Sequence, residues 1–264
     1  MPILALYGFT GCGSDFAPFV DLCNAPTRGH ELEWHCPDLP GHGPDPQLDC
    51  TPEATLRVVS EAHISLGTAP ETSPRILLAY SMGARAALLH AVHNPGKWDA
   101  LILISANPGI EDPAARADRV KADEALAQSL KRMGVAGFLD FWQETPLIRS
   151  QKNIPSAWRE TMLQNRQRHT VEGLASSLRQ FGQGSCPNLW PKVRELAMPV
   201  CLISGAKDTK YTAIAARILR RLPHPKSRHA IIDAASHMPH LEQAEATAGV
   251  VREFLSRRIC RQHR

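Results

Sequence analysis

No apolar run in this chain of 264 residues approaches the roughly 20 residues that a helix needs to cross a bilayer. A membrane is therefore not an expected partner. The seven cysteines (Cys12, Cys23, Cys36, Cys50, Cys186, Cys201 and Cys260) include no C-x-x-C pair. Their odd number and irregular spacing suit neither a zinc site nor a disulfide framework, so no metal is expected. Reduced thiols in a cytoplasmic compartment are the simplest account. The opening residues have no basic stretch and reach a glycine turn at Gly8, unlike a secretory signal. Charge of one sign is also scarce: the formal net charge is +4. Part of that excess lies in Arg252, Arg257, Arg258, Arg261 and Arg264, which read as a solvated, fraying end. No nucleic-acid-binding motif accompanies the basic residues, so nucleic acid is not an expected partner either. Internal repeats and low-complexity segments are both lacking.

What is present is ordinary for a globular protein, with 43% apolar and 21% charged residues. The length suits one large core, and the chain reads as a single domain over 1–264. Short apolar runs alternate with helical patterns, the signature of an α/β fold with a mostly parallel sheet flanked by helices. Strands are expected at 3–7, 31–36, 75–80 and 100–105. From about 109 to 190 the strand rhythm stops and helical periodicity takes over. Such a stretch, inserted between two strands, is expected to form a helical cap over the strand ends. It is rich in cations, among them Arg119, Arg149, Lys152, Arg159 and Arg166. Strands return at 199–204 and 228–232, with a helix over about 211–221 and a closing helix from about 241.

Chemistry is concentrated at Ala79-Tyr80-Ser81-Met82-Gly83, which lies between an expected strand and an expected helix. The nucleophile elbow has the pattern G-x-S-x-G, because small residues flanking the serine permit a cramped turn that exposes its hydroxyl. Here Ala79 replaces the first glycine and Gly83 keeps the second. In this arrangement the triad runs Ser, Asp or Glu, then His along the chain. Asp208 follows the strand after the insertion, and His237 sits in the loop after the last strand. In isolation Asp208 reads as a turn or capping residue and His237 as a loop histidine. The shared order and the strand-end placement together select Ser81, Asp208 and His237. A serine hydroxyl needs a base, a histidine can supply it near neutral pH, and a carboxylate fixes the histidine tautomer. The backbone N–H of Met82 is one expected oxyanion donor. The other is expected from the Gly8-Phe9-Thr10-Gly11 loop, at Phe9. His42 reads as structural, and His240 is the fallback base.

The run Tyr80-Ser81-Met82-Gly83-Ala84-Arg85 resembles the Y-S-M-G-G-R of the 2-succinyl-6-hydroxy-2,4-cyclohexadiene-1-carboxylate synthases, α/β-hydrolase-fold lyases of menaquinone biosynthesis. Leu39-Pro40-Gly41-His42-Gly43, Phe138-Leu139-Asp140-Phe141-Trp142 and His237-Met238-Pro239-His240-Leu241-Glu242 are similar to that family as well. Tyr7 stands where the family usually has a histidine. The resemblance implies that Arg85, Arg119, Arg166 and Trp142 help bind a substrate with several carboxylates. It implies elimination of pyruvate after proton abstraction next to a carbonyl system, with no cofactor. Arg85 lies one helical turn beyond Ser81, and an arginine fork binds carboxylate in bidentate fashion. The rival reading is a serine carboxylesterase or thioesterase for small esters, using the same triad. A third reading, a binding module that keeps the fold without chemistry, is disfavoured by the intact Ser, Asp and His set. Oligomeric state is not legible.

Overall fold

The computed structural model describes residues 1–25, 32–66 and 74–258. The start of the strand expected at 31–36, together with Cys260, Arg261 and Arg264, lies outside the described residues, as do the side chains of Arg257 and Arg258. The strands are β1 (Pro2–Leu6), β2 (Glu33–His35), β3 (Ile76–Tyr80), β4 (Ala100–Ile104), β5 (Val200–Gly205) and β6 (Arg228–Ile232). They form a six-stranded sheet in the order β2-β1-β3-β4-β5-β6, and every pairing is parallel.

Strands β1, β3, β4 and β5 are buried along their whole length. That is why they read as unbroken apolar runs rather than alternating ones. Strand β2 is shorter than expected because it is an edge, with Glu33 and His35 open to solvent. Helices α1 (Ala17–Asn24), α2 (Pro52–Ser65) and α3 (Met82–His93) cover the sheet, with α7 (Thr209–Leu219), α8 (Pro239–Glu242) and α9 (Ala244–Arg258). The closing helix expected from 241 is therefore two helices, broken at Gln243. No helix among the described residues is long and apolar enough to cross a membrane.

The chain leaves β1 for β2 on one side and returns to β3 on the other. The carboxyl ends of β1 and β3 thus flank a topological switch point, the usual place for a site in an open α/β sheet. Ser81 follows β3 there with φ 52° and ψ −108°, in a region costly for a side-chain-bearing residue. Two residues on, α3 drives its first turn against the end of β1. A Cβ at Gly83 would sit 2.6 Å from the Tyr7 carbonyl oxygen, and closer still to that of Leu6.

Between β4 and β5 the described residues contain helices and no strand. These are α4 (Pro113–Gln143), α5 (Ser156–Arg166) and α6 (Val171–Phe181). Asp112 caps α4 by accepting the Ala115 N–H at 2.7 Å, and Pro113 fits the first turn. Gly134, at φ 70°, divides α4 into two helical stretches. Leu174, Ala175 and Leu178 of α6 pack on Ala127, Leu130 and Phe138 of α4, making a second small core. Each buried leucine there contributes about 2 kcal/mol. Phe9 and Trp142 pack on the same cluster, so the insertion is seated directly on the Gly8–Gly11 loop.

In an open helix, replacing glycine by alanine stabilises by about 1 kcal/mol. At Gly83 the contact with β1 reverses that sign. Gly83→Ala is expected to lower unfolding stability by about 1–3 kcal/mol, read from its urea midpoint. A midpoint at or above that of the parent would show that the close approach is not a constraint.

Candidate active site

The elbow places the Ser81 hydroxyl where β3 meets α3, and the Ser81 N–H is fixed to the Ile104 carbonyl at 2.9 Å. Ser81 Oγ lies 3.0 Å from His237 Nε2. His237 Nδ1 lies 2.7 Å from Asp208 Oδ2. The Nδ1–H therefore donates to the carboxylate, leaving Nε2 to accept from the serine hydroxyl. Asp208 has a local reason for its pose: its Oδ1 accepts the Tyr211 N–H at 3.1 Å and so caps α7. The turn-capping reading holds, and the other oxygen of the same carboxylate meets His237.

The loop carrying His237 is held by a carboxylate that the sequence reading did not single out. Buried Glu242 accepts the Ser236 N–H at 2.7 Å and the Met238 N–H at 3.0 Å, on either side of the histidine. The same carboxylate accepts the Ser150 hydroxyl at 2.9 Å, tying the loop to the insertion. The His237 carbonyl in turn accepts the Ser105 hydroxyl at 2.8 Å.

The Gly8–Gly11 loop closes as a turn, with the Gly11 N–H donating to the Gly8 carbonyl at 2.9 Å. Neither the Phe9 nor the Met82 N–H has a hydrogen-bond partner among the described residues. Thr10 sits in this loop at φ 66°, and two histidines hold it. Its N–H donates to His42 Nε2 at 3.3 Å, and its carbonyl accepts from His169 Nε2 at 2.9 Å. His169 Nδ1 accepts the Gly43 N–H at 2.9 Å. His42 Nδ1 donates to the Pro40 carbonyl at 3.1 Å. Each ring must then be neutral, and burial pushes His42 down to about 3. Tyr7 accepts the Leu39 N–H at 2.7 Å and donates to Asp38 at 3.1 Å, so a tyrosine at that position still braces the loop.

A pocket of about 750 Å³, mouth included, opens over Ser81 and His237. Arg85, Arg119, Trp142 and Arg166 all line it, as do Phe9 and Met82. The arginines differ in how they are held. Arg119 Nε is paired with buried Asp123 at 2.8 Å, and its Nη1 donates to Gln183 at 2.6 Å. Arg85 donates to the Phe181 carbonyl at 3.1 Å, with its guanidinium 5.8 Å from the Phe181 ring and the Cys186 thiol nearby. Arg166 is 4% exposed, and among the described residues its one side-chain hydrogen bond is to the Met162 sulfur at 3.4 Å. Neither Arg85 nor Arg166 has an ion pair among the described residues. The buried Arg85 Nε, Arg166 Nε, Trp142 Nε1 and Gln183 Nε2 are donors with no hydrogen-bond partner among the described residues. Leaving such donors dry is costly, so a polar ligand is expected to meet them.

Tyr80, Gln151, Gln183 and Tyr211 line the pocket too and were not picked out from the sequence. Tyr80 was quoted only as part of a motif, and polar residues in helical or loop contexts carry no periodic signal. His240, the fallback base, packs between the rings of Phe16, Phe19 and Tyr80. Burial pushes it down to about 3, and Ser81 bonds His237 instead. Among the described residues no His, Cys, Asp and Glu side chains gather as a metal site. The cysteines among them are all free thiols.

A model of the alpha/beta hydrolase family matches residues 8–250. A Bacillus subtilis (strain 168) protein assigned as a 2-succinyl-6-hydroxy-2,4-cyclohexadiene-1-carboxylate synthase is 33% identical over 255 residues, covering 96% of this chain and 90% of its own. The synthase of that name from Serratia proteamaculans (strain 568) is 30% identical, with 86% and 89% covered. The structure of MenH from S. aureus superimposes with a TM-score of 0.82 at 27% identity, covering 97% of this chain and 93% of that one. A thermophilic esterase from Thermogutta terrifontis shares the fold, with a TM-score of 0.77 at 23% identity and 97% and 89% covered.

The buried neutral histidines set a pH dependence of stability. His42 and His240 hold pKa values of about 3 in the fold, against about 6.5 in an unfolded chain. Above pH 6.5 both states are neutral and nothing changes. Below it the unfolded chain takes up protons that the fold refuses. Stability then falls by about 1.4 kcal/mol per pH unit for each histidine, until the folded values are reached. Urea midpoints are expected to be flat from pH 7 to 8 and to drop steeply from pH 6 to 5. A flat profile down to pH 5 would contradict the neutral assignments.

Proposed function

For a chain that belongs to the alpha/beta hydrolase family and, within it, to the 2-succinyl-6-hydroxy-2,4-cyclohexadiene-1-carboxylate synthases, we propose that Ser81, His237 and Asp208 form the proton-transfer relay of a carbon–oxygen lyase. The enzyme eliminates pyruvate from a polycarboxylate cyclohexene precursor in menaquinone biosynthesis. His237 Nε2 accepts the Ser81 hydroxyl proton, and Ser81 Oγ takes the proton from the substrate carbon next to a carbonyl. Asp208 holds the tautomer and stabilises the imidazolium. The N–H groups of Phe9 and Met82 receive the charge that develops on the carbonyl oxygen. As the ring electrons shift, the carbon–oxygen bond to the enolpyruvyl group breaks. The leaving enolpyruvate regains a proton and departs as pyruvate.

The observation that carries this reading is the pair of guanidiniums, Arg85 and Arg166, that line the Ser81 pocket with no carboxylate in ion-pair contact among the described residues, Arg166 feeling Asp15 only at longer range. A buried unpaired charge costs several kcal/mol. A substrate carboxylate offsets that cost, whereas a neutral ester would leave it standing. Arg119 already has Asp123 as a partner, so its part is to offer its remaining donors rather than an uncompensated charge. Trp142, stacked on Phe138 at 5.8 Å, forms an apolar wall with a free N–H. Helices α4–α6 would then be the cap of a single catalytic domain.

The purified chain is expected to release pyruvate from the precursor, and Ser81→Ala to lower kcat by about 10²–10⁴-fold. Absence of pyruvate, together with Ser81-dependent hydrolysis of nitrophenyl esters, would establish the esterase instead. Arg85→Ala is expected to harm turnover of the polyanion at least about tenfold more than that of a neutral ester. Equal losses would remove its carboxylate role.

A further inference from the structure

Some cations of the insertion are matched by local carboxylates: Arg119 with Asp123, Lys121 with Asp118 and Arg179 with Glu124. Others gather without one between the end of α4 and the end of α5. Arg149, Lys152 and Arg159 have no ion pair among the described residues. Among the described residues the Arg159 side chain donates only to the Lys152 backbone carbonyl, at 2.7 Å.

These three side chains line one crevice on the outside of the insertion, with Glu144 as the only acid in its wall. The crevice shares Ile148, Gln151 and Arg166 with the pocket over Ser81. Its inner wall is thus the outer wall of the catalytic pocket. In that partition Gln151 is 6% exposed with an unpartnered Oε1, and Arg166 is 4% exposed with an unpartnered Nε. Polar groups left unmatched between two cavities fit a boundary that a ligand meets, not a sealed core.

We infer that this crevice is a cationic vestibule that captures the polycarboxylate substrate and passes it toward Arg166. The inference rests on the reading of the inner pocket as a polycarboxylate site. Like-signed charges on a concave wall of low dielectric concentrate an anion and speed its association. The effect reaches about one Debye length, roughly 10 Å at 0.1 M salt. Arg149, Lys152 and Arg159 therefore act on the approaching substrate, and Arg166 takes a carboxylate once the substrate is inside.

The test is the Lys152→Glu/Arg159→Glu double variant, compared with the parent across a series of salt concentrations. For pyruvate release at low salt, kcat/KM is expected to fall about tenfold, with the loss in KM and not in kcat. The salt dependence should flatten or change sign. Equilibrium binding of tricarballylate, a tricarboxylate probe, gives a readout that needs no turnover, and it should weaken in parallel. Parent-like salt dependence in kinetics and in probe binding would overturn the vestibule. A parent enzyme that releases no pyruvate yet binds the probe in a salt-dependent, Lys152- and Arg159-dependent way would sink the lyase reading and leave the vestibule standing.

Discussion

Where β1 ends, the carbonyls of Leu6 and Tyr7 press so closely on the first turn of α3 that no side chain fits at position 83. That contact fixes where α3 begins, and with it the positive φ of Ser81. It also brings the Gly8–Gly11 loop, which leaves β1, beside the elbow that leaves β3. Phe9 and Met82, whose N–H groups have no hydrogen-bond partner among the described residues, therefore line the same pocket as the serine at the switch point of the sheet.

The parts around that contact are held by buried polar groups that are satisfied pair by pair. His42 and His169 grip Thr10, and Glu242 grips the N–H groups on both sides of His237. In a low dielectric such networks are worth more than exposed bonds, and each becomes costly if one member is lost. The insertion takes part in both, through His169 in one case and Ser150 in the other. It therefore braces the Gly8–Gly11 loop and the His237 loop as well as lining the pocket. By contrast, Arg85 and Arg166 have no ion pair among the described residues, and Arg166 meets the charge of Asp15 only at longer range. Among the described residues, the buried donors of Arg85, Trp142, Arg166 and Gln183 that lack a hydrogen-bond partner all belong to residues lining the Ser81 pocket.

Much of this was legible in the residues. The apolar runs marked the central strands to within a residue or two, because strands buried on both faces must be apolar throughout. Ser81, Asp208 and His237 were legible from order and strand-end placement, and the structure brings all three within hydrogen-bonding distance. The edge strand β2 was overestimated, since an exposed edge leaves only a weak pattern. Glu242 and His169 were not legible as supports. Their partners are backbone groups from distant segments, and sequence carries no period for such contacts. Arg119 and Arg166 looked alike in the sequence, and only burial and pairing separate them. Gln151 and Gln183 left no trace at all.

The central claim is that Ser81, activated by His237, removes a carbon-bound proton rather than becoming acylated. Single-turnover pyruvate release from a precursor deuterated at the carbon next to the carbonyl tests this most directly. The account predicts slower release than from the protiated compound, with the enzyme's intact mass unchanged throughout. Equal rates, with a transient mass increase located on Ser81, would contradict it.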